Sequence, residues 1–190
     1  MKRVIVITGA TGTGKTTVSS YLTDQFHIPR IITHTTRPKR PGEQEGVDYY
    51  FETPETFKQN HYLESVHYAN YQYGSSLEGL ARAFSKSDLV SIVLDTKGAE
   101  TYVKELDTRV SVLFLTVAHP LLLKERLEQR GDQLEMVKNR LASDEYRRDL
   151  TLPAGLSGIA TVIQNDKWDT TKNRLDEFVA ELTTPTSPKA

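Results

Sequence analysis

The stretch Val4-Ile5-Val6-Ile7-Thr8-Gly9-Ala10-Thr11-Gly12-Thr13-Gly14-Lys15-Thr16-Thr17 constrains this chain more than any other. An apolar, β-branched run ends in a glycine-rich turn and then enters a helical pattern. Gly9, Gly14, Lys15 and Thr16 satisfy G-x-x-x-x-G-K-[ST], the spacing of a loop that cradles phosphates. Glycine lets main-chain N–H groups converge on phosphate oxygens with no Cβ in the way. The helix that follows points its positive dipole end at the same anion. The segment Gly9, Thr11, Gly12, Thr13, Gly14, Lys15, Thr16 and Thr17 is therefore the expected seat of a nucleoside triphosphate such as ATP. Lys15 would supply a cation to the β/γ-phosphates, and the Thr16 hydroxyl would ligate Mg²⁺. A strand–turn–helix with incidental glycines is the plain alternative, made less economical by the buried-strand pattern directly before the loop.

The remaining chain reads as one α/β domain. At 190 residues it is long enough for a real core, and 37% hydrophobic with 26% charged residues is ordinary for a globular protein. A formal net charge of −1 lacks the basic excess of a general nucleic-acid or anionic-membrane binder. The absence of cysteine excludes disulfides, thiolate metal sites and cysteine nucleophiles, and the five histidines show no metal-ligand spacing. No signal peptide or membrane span is expected, which places the chain in the cytoplasm.

Apolar β-like runs recur at 4–8, 91–94, 110–117 and 160–163, separated by helix-period segments at 16–24, 77–85, 98–106, 120–130 and 134–148. Alternation of this kind predicts a central parallel sheet covered on both faces, a three-layer α/β fold. Leu134, Val137 and Leu141 share one helical stripe, Asp166 is placed to cap the last helix, and residues 183–190 read as a frayed tail. Residues 33–76 break the alternation, being rich in Tyr, Thr, Pro and Gly, and read as a loop followed by short strands at 49–51 and 62–68. This is a small lobe inserted in the core.

Within that lobe, Thr33-His34-Thr35-Thr36-Arg37-Pro38-Lys39-Arg40-Pro41-Gly42-Glu43 presents two arginines on a proline-stiffened loop. Such a pair suits a dianionic phosphate, which planar guanidinium forks grip bidentately. Taken alone it reads better as a solvated basic loop, but beside a donor-phosphate loop it reads as the seat of an acceptor phosphate.

Together with Gly46-Val47-Asp48-Tyr49-Tyr50-Phe51, this stretch resembles the acceptor-binding signature of guanylate kinases, which phosphorylate GMP with ATP. The likeness runs from the phosphate loop to about Asp166. It implies that Arg37, Arg40, Tyr49 and Tyr73 hold the GMP phosphate. It implies that Glu64 accepts from guanine N1–H and the exocyclic amine, that Asp95 lies near that amine, and that the Thr33 and Ser75 hydroxyls donate to O6. From the residues alone, Glu64 is an exposed strand residue, while Asp95 is a helix cap or an aid to Mg²⁺. Arg126 and Arg130, one turn apart, and Arg140 beyond Gly131-Asp132-Gln133 resemble the lid of nucleoside monophosphate kinases, whose arginines close over the transferring phosphoryl group. Asn165 matches a position near the adenine of ATP.

The implied layout is a core at 1–33, 77–126 and 148–182, a GMP-binding lobe at 34–76 and a lid at 127–147, acting as monomer or homodimer. The chain departs from the family pattern at Ala10-Thr11, where Pro-Ser is usual. The usual Asp-x-Asp-x-Gln-Gly reads Val93-Leu94-Asp95-Thr96-Lys97-Gly98, the lid is one residue short, and Arg147 stands where a glutamate is expected. A related kinase for another phosphorylated acceptor, or a non-enzymatic binding module of the same family, are the other readings.

Overall fold

A computed structural model of the protein describes residues 2–68, 70–129 and 134–184. The chain begins with β1 (Arg3–Thr8) and α1 (Lys15–Phe26), followed by β2 (Thr33–Thr35), β3 (Tyr49–Phe51) and α2 (Pro54–Phe57). Then come β4 (Tyr62–Tyr68), β5 (Tyr71–Ser76), α3 (Leu77–Phe84), β6 (Leu89–Val93) and α4 (Thr96–Leu106). The last third holds β7 (Val110–Thr116), α5 (Leu121–Gln129), α6 (Leu134–Ala142), α7 (Asp144–Asp149), β8 (Ala160–Gln164) and α8 (Trp168–Thr183).

The core sheet has the order β6-β1-β7-β8, and every pairing in it is parallel. Val4, Ile5, Val6 and Ile7 are all fully buried because alternate side chains enter opposite layers. Val4 and Val6 pack with Val90, Ile92, Val112 and the α3 and α4 residues Leu80, Tyr102 and Leu106. Ile5 and Ile7 pack on the other side with Val18 and Leu22 of α1 and with Leu175, Phe178 and Val179 of α8. The expected three layers are therefore present. Among the described residues no helix is long and apolar enough to cross a membrane.

A second sheet, of order β3-β2-β5-β4, is mixed: β2 and β3 run parallel, and the other pairs are antiparallel. Strands β3 and β4 fall where the sequence predicts them, whereas β2 and β5 lie in segments without an assigned strand. Three residues such as Thr33–Thr35 are too few to show a period of two. The register sorts this sheet into two faces. Thr33, Thr35, Tyr49, Phe51, Tyr73, Ser75 and Glu64 share one, since each is directly opposite, or two residues from, another of the set. His34, Tyr50, Gly74 and Ser76 occupy the other. A bulge between Tyr62 and Glu64 decides where the glutamate goes. It sets Tyr62 opposite Ser76, stacked on Phe57 at 4.4 Å, and turns Glu64 to the face of Ser75.

Several sequence expectations are corrected. The predicted single helix over 134–148 is two, because Ser143 accepts from the Tyr146 N–H (3.2 Å) while its hydroxyl donates to the Arg140 carbonyl (2.9 Å). Of the stripe on α6, Val137 is buried but Leu134 is 72% exposed, so the helix packs by its C-terminal half. Asp166 does not cap α8, whose N-cap position is Lys167; its carboxylate accepts instead from the Ala118 N–H (3.0 Å) and the Gln164 amide (2.5 Å). Thr183 closes α8 rather than opening a tail, and residues 185–190 of that expected tail lie outside the described residues.

Candidate active site

The phosphate loop is a turn held from within. Gly9, at φ 127°, and Gly14, at φ 94°, adopt conformations that favour glycine, and a Cβ would run into the Leu115 carbonyl oxygen and the Asn165 amide respectively. The Thr13 hydroxyl donates to Ala10 O (2.8 Å), and the Lys15 ammonium donates to Gly9 O (2.6 Å) and Ala10 O (2.9 Å). Gly14 is the N-cap of α1, so no side chain caps the helix and its first amides face the loop's concave side. Thr16 and Thr17 are exposed there and Thr11 half-buried. The Thr16 hydroxyl makes no hydrogen bond among the described residues. No cluster of three or more His, Cys, Asp or Glu able to hold a metal occurs among the described residues. The exposed Thr16 hydroxyl is an oxygen donor of the kind that suits Mg²⁺ brought in on a polyphosphate.

Two predicted residues brace this loop from outside. Asn165 is 5% exposed, and both ends of its amide are engaged, Nδ2 donating to Thr13 O (2.8 Å) and Oδ1 accepting from the Thr171 hydroxyl (2.8 Å). The structure thus places it directly against the loop, between Thr13 and the first turn of α8. Arg126 donates to Asn165 O (2.7 Å) and Gly12 O (3.4 Å), which sets a guanidinium at the rim of the phosphate seat. Arg140 lies half-buried on α6, and Arg130 lies outside the described residues.

The second cluster sits on the 33/35/49/73 face of the mixed sheet. Arg37 is 5% exposed, with its guanidinium 5.4 Å from the Tyr49 ring centroid and 5.9 Å from that of Phe51. Tyr49 and Tyr73 meet edge to face at 6.2 Å. Burial, then the neighbouring Tyr73, raises the Tyr49 phenol, so that ring presents a neutral hydroxyl at ordinary pH.

Glu43 carries no signal of a role in residue order. Its carboxylate fills the Arg37 fork (Nη2–Oε1 2.8 Å, Nη1–Oε2 3.0 Å) and also accepts from the Arg40 N–H (2.8 Å). Burial would raise the Glu43 carboxyl, but the Arg37 and Arg40 hydrogen bonds outweigh it and hold the group below the usual carboxylate range. Glu43 therefore ties both arginines into one oxyanion seat.

Glu64 lies at the end nearer the core, 5% exposed, against Gly98 in the first turn of α4. Burial first, and the Asp95 carboxylate second, push its carboxyl up to about 8 despite the Ser75 hydrogen bond. The Ser75 hydroxyl is fully buried and accepts from Tyr102 (2.8 Å). Its one proton goes to Glu64, so it orients that carboxylate rather than standing free for a ligand. Thr33, half-buried, shares the face. Asp95 caps α4, its Oδ1 accepting from the Gly98 N–H (2.7 Å), and its Oδ2 accepts from Arg148 (2.6 Å), a residue that sequence reasoning left without a role. Arg147, at the position of the expected glutamate, points away to an exposed pairing with Asp144 at 3.5 Å.

Topology brings the clusters together. Ile7 and Val93 pair at the carboxyl ends of β1 and β6, and Leu94 N–H donates to Ile7 O (3.1 Å). Gly9 and Asp95 each follow two residues later, at the edge where open α/β sheets bind ligands. Glu64 adjoins Asp95, and Ser75 and Tyr73 continue that face outward to Arg37.

Because Glu64 titrates above its ordinary value, its contribution to stability is largest below about 4.5 and is lost as pH rises to about 8. Glu64→Gln is therefore expected to melt higher than the parent at pH 8, with the gap closing toward pH 5. Melting curves across that range check it; a gap independent of pH contradicts it.

The described geometry has known counterparts. The family model for guanylate kinase matches residues 1–182. A guanylate kinase of Thermus thermophilus is 36% identical over 149 residues, 76% of this chain and 67% of the relative. One of Mycoplasma genitalium is 30% identical over 186 residues, 93% of this chain and 75% of the relative. The crystal structure of guanylate kinase from Anaplasma phagocytophilum superposes with a TM-score of 0.66 at 21% identity, covering 97% of this chain and 87% of that one.

Proposed function

The chain belongs to the guanylate kinase family, and from that premise we propose that it transfers the γ-phosphoryl group of ATP to GMP, giving ADP and GDP. One observation carries the reading. An uncapped helix start with its lysine follows β1 at the carboxyl edge of the core sheet, and Asp95, which follows β6 at the same edge, adjoins Glu64 on the mixed-sheet face that also carries Ser75, Tyr73 and Tyr49.

Donor phosphates would lie in the loop of Gly9 to Thr17, with the Lys15 ammonium turning from its two loop carbonyls to the β- and γ-oxygens. The GMP phosphate would displace or share the Glu43 carboxylate on Arg37, with Arg40, Tyr49 and Tyr73 completing its donors. Glu64 would take guanine N1–H and the amine, held in orientation by Ser75 and Tyr102. A GMP phosphate oxygen attacks the γ-phosphorus while the bond to the β-bridging oxygen breaks, in line, and ADP leaves with that oxygen. The acceptor is already an anion, so no base is needed, and positioning with charge stabilisation does the work. Thr16 would hold Mg²⁺ arriving with the donor, and the ion would supply divalent charge to offset the negative charge of the phosphates. Residues 127–147 are proposed as the lid, with Arg126, Arg130 and Arg140 neutralising the equatorial oxygens and excluding water. Every described group in this scheme comes from one chain, and the cytoplasm is its proposed setting.

A coupled ADP-release assay with GMP, dGMP, AMP, UMP and a sugar phosphate tests the assignment. GMP is expected to accelerate ADP release and AMP to be rejected, since adenine has neither the N1–H nor the 2-amine that guanine offers Glu64. A panel in which another acceptor wins points to the related-kinase reading; a panel with no response removes the enzyme.

The raised Glu64 carboxyl makes GMP capture pH-dependent. Guanine needs the carboxylate, which is about one-tenth populated at pH 7 if the group titrates at about 8. GMP affinity is expected to rise about tenfold from pH 7 to above 8, with close to one proton released per GMP bound at pH 7. Calorimetry in two buffers of different ionisation enthalpy reads that proton; its absence contradicts the assigned role.

A further inference from the structure

The departures at Val93, Lys97 and Arg147 all flank one spot, the first turn of α4, and there the chain has built a charge network of its own. Arg148 Nη2 donates to Asp95 Oδ2 (2.6 Å), and its Nε donates to Asp149 Oδ1 (2.9 Å) and Thr96 Oγ1 (3.2 Å). Asp149 is 3% exposed and accepts from the Thr96 hydroxyl (2.6 Å) and N–H (3.3 Å). Thr96 is fully buried, so the guanidinium is clamped between two carboxylates that are both tied to α4. Both oxygens of Asp95 are thereby engaged within the protein, one capping the helix through Gly98 and the other held by the permanently charged Arg148.

We propose that Arg148 is a positioning residue that withdraws Asp95 from the base, so that Glu64 alone reads the 2-amino side of the purine. The inference rests on the guanylate kinase reading of the site. Its consequence concerns selectivity. In a pocket with two base-facing carboxylates, a purine without the 2-amino group leaves a buried acceptor unpaired at each of them. With Asp95 satisfied by Arg148 and Gly98, only one oxygen of Glu64 loses its donor. The chain therefore accepts IMP, whose base has N1–H and no amine, more readily than a two-carboxylate pocket does.

The readout is the ratio of kcat/KM for GMP to that for IMP, which damage to folding alone does not move. Arg148→Met frees Asp95 toward the base and is expected to raise the ratio about tenfold or more, the worth of a charge-assisted hydrogen bond. Arg148→Lys keeps a cation on Asp95 and is expected to hold the ratio near that of the parent. Asp95→Asn, which preserves a good cap, should leave the ratio within about threefold in the parent and cancel the gain in the Arg148→Met background. An unchanged ratio in an active Arg148→Met protein overturns the proposal, as does a tenfold fall in the ratio on Asp95→Asn alone. If Arg148→Met fails to fold, as a melting curve would reveal, Asp95→Asn in the parent decides by itself. GMP turnover with unmoved ratios sinks this inference only, whereas no acceptor response at all sinks the kinase reading and the inference with it.

Discussion

Lys15→Ala is expected to lower kcat at least about a thousandfold while leaving the fold in place. The ammonium donates to two carbonyls of the loop, Gly9 O and Ala10 O, and it heads the uncapped start of α1. Its removal deletes the charge nearest the β/γ-phosphates at the moment negative charge shifts onto the leaving oxygen. The structural cost is small by comparison. Two hydrogen bonds are lost from a half-buried loop, roughly 1–3 kcal/mol, and β1 beneath it stays fully buried between two helical layers. A far-ultraviolet spectrum matching the parent, with turnover gone, is the predicted pair of results. Retained turnover would mean that the loop does not hold the donor.

Arg37→Ala is expected to raise the KM for GMP by about a hundredfold or more, with a smaller loss of kcat. Arg37 has a second duty, which makes this variant less stable than Lys15→Ala. Its fork neutralises Glu43, which is 17% exposed in its side chain, and stripping the partner leaves that carboxylate in place without its main compensation, at a cost of about 3 kcal/mol. The sign of the pH dependence follows from Glu43. Its folded value is depressed, so the stability it contributes is present above the ordinary carboxylate range and is lost as pH falls through its lowered value. The melting deficit of Arg37→Ala should therefore be widest near neutrality and narrow toward acid pH. Melting curves check the stability part and saturation kinetics with GMP the binding part. A variant with unchanged GMP saturation would detach Arg37 from the acceptor phosphate.

Which parts of this were legible in residue order follows from how far apart the partners lie. The loop after β1 is local: strand, turn and helix start occupy fourteen consecutive residues, and each residue's conformation follows from its neighbours. Arg37 and Arg40 were legible as a pair for the same reason, since charge and proline spacing show that they share a loop, whereas Tyr49 came from the family likeness alone. Glu43 sits in that very loop and was passed over, because a nearby carboxylate looks like neutralisation of a surface patch until the bidentate geometry is seen. Glu64 reads as exposed under strict alternation; the bulge after Tyr62 turns it inward, and nothing in Tyr62-Leu63-Glu64-Ser65 announces an extra residue. The Arg148–Asp95 pair spans 53 residues and joins helices whose juxtaposition depends on the whole α/β core. Asn165, which the family likeness set near adenine, has its amide engaged with Thr13 and Thr171, and the first of these partners is 152 residues away in the chain. Asp166 was assigned to the nearer helix by proximity, and the Ala118 N–H across the β7–β8 edge won the competition for it.

Following the phosphorus itself tests the central pairing of donor loop and acceptor seat most directly. ATP labelled in its γ-phosphoryl group, incubated with the protein, Mg²⁺ and GMP, is expected to yield GDP carrying the label in its β-position. No label should remain on the protein, little should pass to water, and the transfer should vanish with Lys15→Ala. Label that stays in ATP, collects on the chain, or reaches inorganic phosphate at the same rate with and without GMP would contradict direct transfer between the two seats.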